Sequence, residues 1–162
     1  MVTNSKSVEN LQKALSMELS AVHQYLLHAH VLDDWGLDRL AVKMREEMQE
    51  EMGHAGGFID RILFLKGSPN ASEEKPAKMA DSLKAMFESD LQDERSAISF
   101  YSQAAAEAGA ENDIGTRTLF ERITIEEEGH MDWLEQQLGL LDRMGESAYA
   151  ARYMGVPGED SA

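Results

Sequence analysis

The sequence predicts an all-α fold, a four-helix bundle with a long crossover loop between helices 2 and 3 and a short fifth helix at the C-terminus. Apolar residues recur at helical spacing through four long segments, and the only three prolines lie in a loop or in the C-terminal tail. The 162 residues, 43% of them hydrophobic, are enough for one folded domain, which we expect to span residues 1–162.

The first two helices are predicted over residues 5–35 and 38–65. In the first, leucines recur at helical spacing and Gly36 follows as a C-terminal stop. In the second, Asp38 is a candidate N-cap, and the glycine and proline of residues 66–70 end the helix.

The next two helices are predicted over residues 81–108 and 113–144. Gly109 is expected to end the third helix, and Asp113 is a candidate N-cap for the fourth. A short fifth helix is predicted over residues 146–154, and residues 155–162 are expected to form a flexible tail.

The connections between the helices have unequal lengths. Helices 1 and 2, like helices 3 and 4, are separated by a few residues, which predicts antiparallel neighbours. Residues 67–80 separate helices 2 and 3, and such a segment can reach roughly 45 Å, the length of a 30-residue helix. It can therefore cross the whole bundle, which would make helices 2 and 3 parallel.

The charge balance and the lack of cysteine exclude several classes of function. Acidic residues outnumber basic ones 30 to 15, and a net charge of −15 argues against nucleic acid as a partner and suits a protein that attracts cations. Without cysteine, disulfides, iron–sulfur clusters and cysteine zinc sites are excluded. No signal peptide or membrane-spanning run is visible, so we expect a cytoplasmic protein without a membrane partner.

An internal repeat with an offset of 76 residues provides the strongest functional signal. Glu-x-Ser-Ala-(Val/Ile)-x-x-Tyr begins at residue 18 and again at residue 94, and Glu-x-Gly-His begins at residue 51 and again at residue 127. A Glu and a His three residues apart share one face of a helix. The repeat thus selects four acids and two imidazoles, namely Glu18, Glu51, His54, Glu94, Glu127 and His130.

This ligand set is typical of di-iron or di-manganese sites in the core of helix bundles. Buried carboxylates repel one another unless cations neutralise them, and oxygen-rich ligation without sulfur suits iron or manganese. We expect Glu18 and His54 to bind one metal and Glu94 and His130 the other, while the Glu of each Glu-x-Gly-His bridges both. A single Glu-x-x-His is more often a surface pair, and the two copies in register favour the metal interpretation.

Tyr25 and Tyr101 lie seven residues after the first Glu of each half, two turns along the same stripe. A buried tyrosine needs a partner for its hydroxyl group, and a ligand carboxylate could accept this hydrogen bond. We favour this supporting role. Donation of an electron by the ring is the alternative.

Other acidic and histidine residues near these motifs have less specific interpretations. Glu47 and Glu50 precede Glu51 on the second helix, where a solvated face is the simpler interpretation and an iron path the secondary one. His23, His28 and His30 lack a Glu three residues earlier, and we expect them at the surface or at an interface.

The residues that carry these motifs resemble the bacterioferritins. The runs that carry the similarity are residues 24–25, 34–37, 50–55, 61–70 and 126–135, and the motifs include all six proposed ligands at the spacing of the family. The resemblance implies a ferritin-like bundle in a homo-oligomeric cage of twenty-four subunits, built from twofold dimers. It also implies ferroxidase activity, in which Fe(II) is oxidised by O2 or H2O2 at the di-iron centre and stored as ferric mineral. The short fifth helix would line a symmetry channel.

The same resemblance implies haem b at a twofold interface, with Met52 as an axial ligand from each subunit. Met52 follows Glu51 and is therefore rotated by about 100° to the outer face of the helix. Arg45 could meet a haem propionate. Three alternatives remain open: a di-iron oxidase or peroxidase that forms no cage, a DNA-protecting mini-ferritin-like protein, and a structural bundle that binds haem for electron transfer.

Overall fold

The computed structural model describes residues 5–155, and it contains five helices and no strand within that range. The helices are α1 Lys6–Asp34, α2 Asp38–Phe64, α3 Leu83–Ala110, α4 Ile114–Met144 and α5 Glu146–Ala151. The predicted all-α fold is confirmed, while the predicted tail beyond Gly155 lies outside the described residues. The described helices contain no apolar segment of the length that a membrane-spanning helix needs.

Side-chain caps begin three of the long helices. The Ser5 hydroxyl accepts a hydrogen bond from the backbone N–H of the third residue of α1, and Ser82 does the same at α3. Asp113 caps α4 in this way, as predicted. The prediction for Asp38 is wrong: it is the first residue of α2, it follows Leu37, and it makes no capping hydrogen bond.

Residues with positive φ end the helices at the tight connections. Gly36 has φ of 77° and terminates α1 as predicted, because a residue without Cβ adopts this conformation at no steric cost. The predicted stop at Gly109 is wrong, since α3 continues to Ala110. The turn is made instead by Asn112, with φ of 59°, and asparagine tolerates this region better than most residues.

The crossover segment runs along α1 and fixes the topology. Near the start of both, Gln12 exchanges two hydrogen bonds of 2.8 Å with the backbone of Asn70. Further along, Gln24 exchanges hydrogen bonds of 2.9 and 3.0 Å with the backbone of Lys78. The segment therefore travels in the direction of α1, so α3 begins beside the end of α1 and runs parallel to α2.

The apolar core is divided into two clusters, one toward each end of the bundle. One cluster includes Leu32, Met44 and Phe87, and the other includes Leu15, Phe58 and Phe120. On each long helix the residues of the two clusters are separated by the predicted ligands, which form a polar layer across the middle. The fold therefore brings one level of all four long helices to a common centre.

Candidate metal centre

The six residues that the repeat selects lie together in this central layer. Each of α1 and α3 contributes one Glu, and each of α2 and α4 contributes a Glu and a His. None of the six is more than 7% exposed. Four acids buried in an apolar bundle would repel one another, so the arrangement requires protons or cations to balance their charge.

Glu51 and Glu127 each face both imidazoles. One oxygen of Glu51 lies 3.0 Å from Nδ1 of His54, and its other oxygen lies 3.1 Å from Nδ1 of His130. The two oxygens of Glu127 lie 2.9 Å and 3.1 Å from the same two nitrogen atoms. Each of these carboxylates can therefore offer one oxygen to each of two cations.

Glu18 and Glu94 each approach a single imidazole. Oε2 of Glu18 lies 3.7 Å from Nδ1 of His54, and Oε1 of Glu94 lies 3.6 Å from Nδ1 of His130. The centre thus divides into two groups that share Glu51 and Glu127, and within each group the candidate ligand atoms lie within 4.8 Å of one another. The terminal and bridging roles expected from the sequence stay predictions.

Two buried tyrosines each donate a hydrogen bond to a carboxylate in the opposite half of the repeat. The hydroxyl of Tyr25 on α1 donates to Glu94 on α3 at 2.8 Å, and that of Tyr101 on α3 donates to Glu18 on α1 at 2.5 Å. Burial and the neighbouring carboxylates raise the pKa of both tyrosines well above the usual value. Both hydroxyls therefore stay protonated and can act as hydrogen-bond donors.

The pKa values of the central carboxylates show how burial and mutual repulsion act on this layer. Burial and repulsion between the acids raise the pKa of Glu18 and Glu51, and burial raises that of Glu94. Burial would also raise the pKa of Glu127, but hydrogen bonds with both histidines hold it below the usual value.

The two histidines respond in the opposite sense to burial. Burial alone would lower the pKa of His54 and His130, yet the surrounding carboxylates raise both well above the usual value. Without a cation, the carboxylates around each imidazole therefore favour its protonated form. The same oxygen and nitrogen atoms fit two cations, because each cation would meet three carboxylates and one imidazole, with no sulfur.

The outer nitrogen atoms of the histidines contact a further set of carboxylates. Nε2 of His130 lies 2.6 Å from Glu50 and 3.0 Å from Glu47, and Nε2 of His54 lies 2.6 Å from Glu126. The prediction of a solvated face holds for Glu50 but is wrong for Glu47, which is 3% exposed. Glu47 forms an ion pair with Lys43 through one oxygen, and its other oxygen has no hydrogen-bond partner.

His28 also lies elsewhere than the sequence predicts. It is buried, and its Nε2 lies 2.8 Å from Oδ1 of the buried Asp90, whereas His23 and His30 are exposed as expected. Burial raises the pKa of Asp90. The surface expectation for His28 failed because it rested on a missing Glu three residues earlier, while the actual partner is on another helix.

A cavity of about 280 Å³ adjoins the centre between α1 and α3. Its inner wall includes Tyr25, Tyr101 and the four central carboxylates, and its outer wall includes Lys75 of the crossover segment and Asp93. The cavity leaves room for a small molecule beside the carboxylates.

The contact of Glu126 with His54 was not predicted from the sequence, although the 76-residue repeat could have indicated it. Glu126 lies 76 residues after Glu50, the offset of the repeat, and the two acids occupy matching places beside the histidines. Asp90 could not be found in this way, because the position 76 residues after its partner His28 holds Ala104.

Met52 lies outside the centre, on the outer face of α2, as its position after Glu51 predicts. It is 47% exposed, so its thioether is available to a ligand or to a second subunit. Arg45, one of the neighbouring residues on α2, forms an ion pair with Asp33 of α1.

Comparison with known proteins identifies the family. Residues 8–144 match the Ferritin family, described as a ferritin-like domain. The bacterioferritin of Rhodobacter capsulatus is 41% identical over 150 residues, covering 93% of each chain, and that of Brucella melitensis is 42% identical over 144 residues, covering 89% of each.

Solved structures agree with this assignment. The structure of Rhodobacter capsulatus bacterioferritin, described with a metal-free dinuclear site and a haem iron, superposes with a TM-score of 0.93 at 39% identity and covers all of both chains. The bacterioferritin BfrA of Mycobacterium tuberculosis gives a TM-score of 0.91 at 34% identity, covering 96% of this chain and 98% of its own. From its fold, its central layer and these similarities, the chain belongs to the bacterioferritins.

Proposed function

We propose that this protein stores and detoxifies iron by oxidising Fe(II) to Fe(III) at the central layer, as a ferroxidase. The observation that carries the proposal is the position of Glu51 and Glu127, each with one oxygen beside each imidazole. Two cations held by these shared carboxylates would lie next to each other, which suits a reaction that takes one electron from each of two ions.

The charge and the ligand types support iron as the substrate. Two divalent ions balance the four central carboxylates, and the mixed oxygen and nitrogen ligands suit Fe(II). In our assignment Glu18 and His54 bind one ion, Glu94 and His130 bind the other, and Glu51 and Glu127 bridge. The protons that the metal-free layer holds would leave as the ions bind, because a ligand must be deprotonated.

The oxidation balances with O2 or with H2O2 as the oxidant. Two Fe(II) ions give two electrons, which with two protons reduce O2 to H2O2, or reduce H2O2 to two molecules of water. The cavity between α1 and α3 gives the oxidant room beside the carboxylates. Tyr25 and Tyr101 hold Glu94 and Glu18 in place through their hydroxyl groups, which is the supporting role we assign to them.

Aerobic oxidation of Fe(II), followed by the absorbance of ferric iron, tests the catalytic part of the proposal. Glu94→Ala and His130→Ala should each lose most of the fast phase, since each removes a ligand of one ion. Glu128→Ala, which changes an exposed acid beside Glu127, is the matched control and should keep it. Equal rates in all three variants would refute the site.

We further propose a cage of twenty-four copies, built from twofold dimers, in which the ferric mineral is stored. Membership of the bacterioferritins supports this assembly. Gel filtration tests it: a species of dimer size would favour the alternative of a di-iron oxidase or peroxidase without a cage. The DNA-protecting alternative is disfavoured by the net charge of −15, which would repel the phosphates of DNA.

Haem b is the second cofactor that we propose, with Met52 as the axial ligand from each of two subunits. The exposed thioether on the outer face of α2 supports this role, and the related structure from Rhodobacter capsulatus is described with a haem iron. The purified protein should show a Soret band that Met52→Ala abolishes. The control Met79→Ala, at a residue 66% exposed in the crossover segment, should keep the band. A colourless protein from haem-supplied cells would contradict the proposal.

Glu47 and Glu50 offer a path by which Fe(II) could reach the centre from the α2–α4 side. Glu50 is exposed and Glu47 is buried, and both contact Nε2 of the central residue His130, at 2.6 Å and 3.0 Å. If the path operates, Glu47→Gln should slow the binding of Fe(II) without weakening binding at equilibrium. An unchanged rate would exclude the path.

A further inference from the structure

The outer nitrogen atoms of the two central histidines are held by acids of the facing helix. Glu50 of α2 contacts Nε2 of His130 on α4, and Glu126 of α4 contacts Nε2 of His54 on α2, both at 2.6 Å. The two pairs are related by the 76-residue repeat, so the same contact arises twice.

The chemistry of a neutral imidazole determines what these contacts do. It has one nitrogen with a lone pair and one that carries a proton, and the hydrogen bond of the second fixes which is which. Since Nδ1 of each histidine faces the central carboxylates, Nε2 is the protonated nitrogen when Nδ1 binds a metal, and Nε2 is the atom that meets Glu50 or Glu126.

We propose that Glu50 and Glu126 are positioning residues of the metal centre, each orienting the histidine of the opposite helix with Nδ1 toward the metal. This inference rests on the proposed metal centre and adds to it a pair of acids that would contact the histidines and not the ions. The bonds cross between α2 and α4, so they also hold these two helices at a fixed separation beside the centre.

The exposure of the two acids is consistent with this role. Their side chains are 55% and 41% exposed, so water solvates the charge while one oxygen accepts the bond from the buried imidazole. The second oxygen of Glu126 is held by Arg122 at 3.1 Å.

A separate metal site at Glu47, Glu50 and His130 is the competing interpretation, since these three side chains also lie close together. It would require Nε2 of His130 to lose its proton while Nδ1 binds the central ion. The 2.6 Å hydrogen bond between Nε2 and Glu50 keeps the proton on that nitrogen, which favours positioning over ligation.

Anaerobic titration with Co(II), followed by its visible absorption, tests the inference apart from oxidation. Glu50→Ala and Glu126→Ala should each weaken Co(II) binding by about 10- to 100-fold, the usual effect of losing the partner of a metal-binding histidine. Glu50→Gln and Glu126→Gln keep an acceptor oxygen and should lie between the wild type and the alanine variants. The exposed acids Glu46 and Glu128 provide the controls, as Glu46→Ala and Glu128→Ala.

Each outcome has a distinct meaning. Wild-type affinity and spectrum in all four variants at Glu50 and Glu126 would overturn the positioning role while leaving the proposed function intact. Loss of a third Co(II) ion in Glu50→Ala, with the first two unchanged, would overturn it in favour of the separate site. A wild-type protein that binds no Co(II) would overturn both the inference and the proposed function. Gel filtration and circular dichroism show whether the variants fold.

Discussion

If the central carboxylates bind metal as we propose, loading the metal-free protein with Co(II) should replace their protons with bonds between ions and carboxylates. In the metal-free layer, Glu18, Glu51 and Glu94 carry raised pKa values because they are buried beside other acids. Two divalent ions remove both the repulsion and the need for those protons. We therefore expect loading to raise the melting temperature strongly.

The magnitude follows from linkage between binding and folding. Each ion present at 100 times its Kd stabilises the folded state by about 2.7 kcal/mol, so two ions contribute about 5 kcal/mol. For a chain of this size, each kcal/mol corresponds to about 2–4 °C, which gives a rise of about 10–20 °C. The rise should be larger near pH 8 than near pH 6, since protons compete with the metal for the same atoms.

Differential scanning calorimetry at one fixed protein concentration measures this effect, because the melting temperature of an oligomer depends on concentration. The double variant Glu18→Gln/Glu94→Gln removes one terminal carboxylate from each ion and should lose most of the rise. Glu46→Gln/Glu128→Gln changes the same charge at the surface and should retain it. A rise of similar size in both double variants would refute the central site as its origin.

Three further predictions concern the metal-free protein. Its melting temperature should fall as the pH rises from about 6.5 to 8, because His54 and His130 have raised pKa values in the folded state and the stability they contribute below the unfolded pKa of 6.5 is lost above it. A melting temperature that rises over this range would contradict the assigned directions. Tyr101→Phe and Tyr25→Phe should each cost about 1–3 kcal/mol of unfolding free energy in urea titrations, by leaving a buried carboxylate without its donor. Phe58→Ala should cost about 3–5 kcal/mol in the same titrations, since Phe58 is fully buried against two other aromatic rings, and a loss below 1 kcal/mol would show that the core closes around the gap.

The fold and the six central residues were predictable because two independent periodicities coincide. Helical spacing identified the four long segments, and the 76-residue repeat placed one level of each at a common centre. Helix ends were less predictable. Asp38 is not the N-cap of α2, because Leu37 occupies that position and Asp38 is already the first helical residue. Gly109 does not end α3, because the helix continues to Ala110 and Asn112 adopts the positive φ of the turn.

The residues that contact the outer side of the two histidines were less predictable, because only some of them recur at the offset of 76 residues. Glu50 and Glu126 match, so the repeat implies one from the other, but the counterpart of Glu47 is Ile123. His130 therefore meets a second acid at Nε2, which His54 does not. The ion pair of Glu47 with Lys43 follows from their spacing of four residues on α2, but the burial of Glu47 and its contact with His130 depend on how α2 packs against α4.

This partial symmetry has a physical explanation. Because Glu51 and Glu127 each lie beside both imidazoles, a change in one half of the centre would alter the geometry of the other half. A residue one layer out contacts a single histidine and can differ between the halves without disturbing the opposite half. The twofold pattern should therefore be strict at the central Glu, His and Tyr residues and weaker farther from the centre. In the repeat, Glu47 corresponds to Ile123 and His28 corresponds to Ala104, so neither outer residue is conserved between the halves.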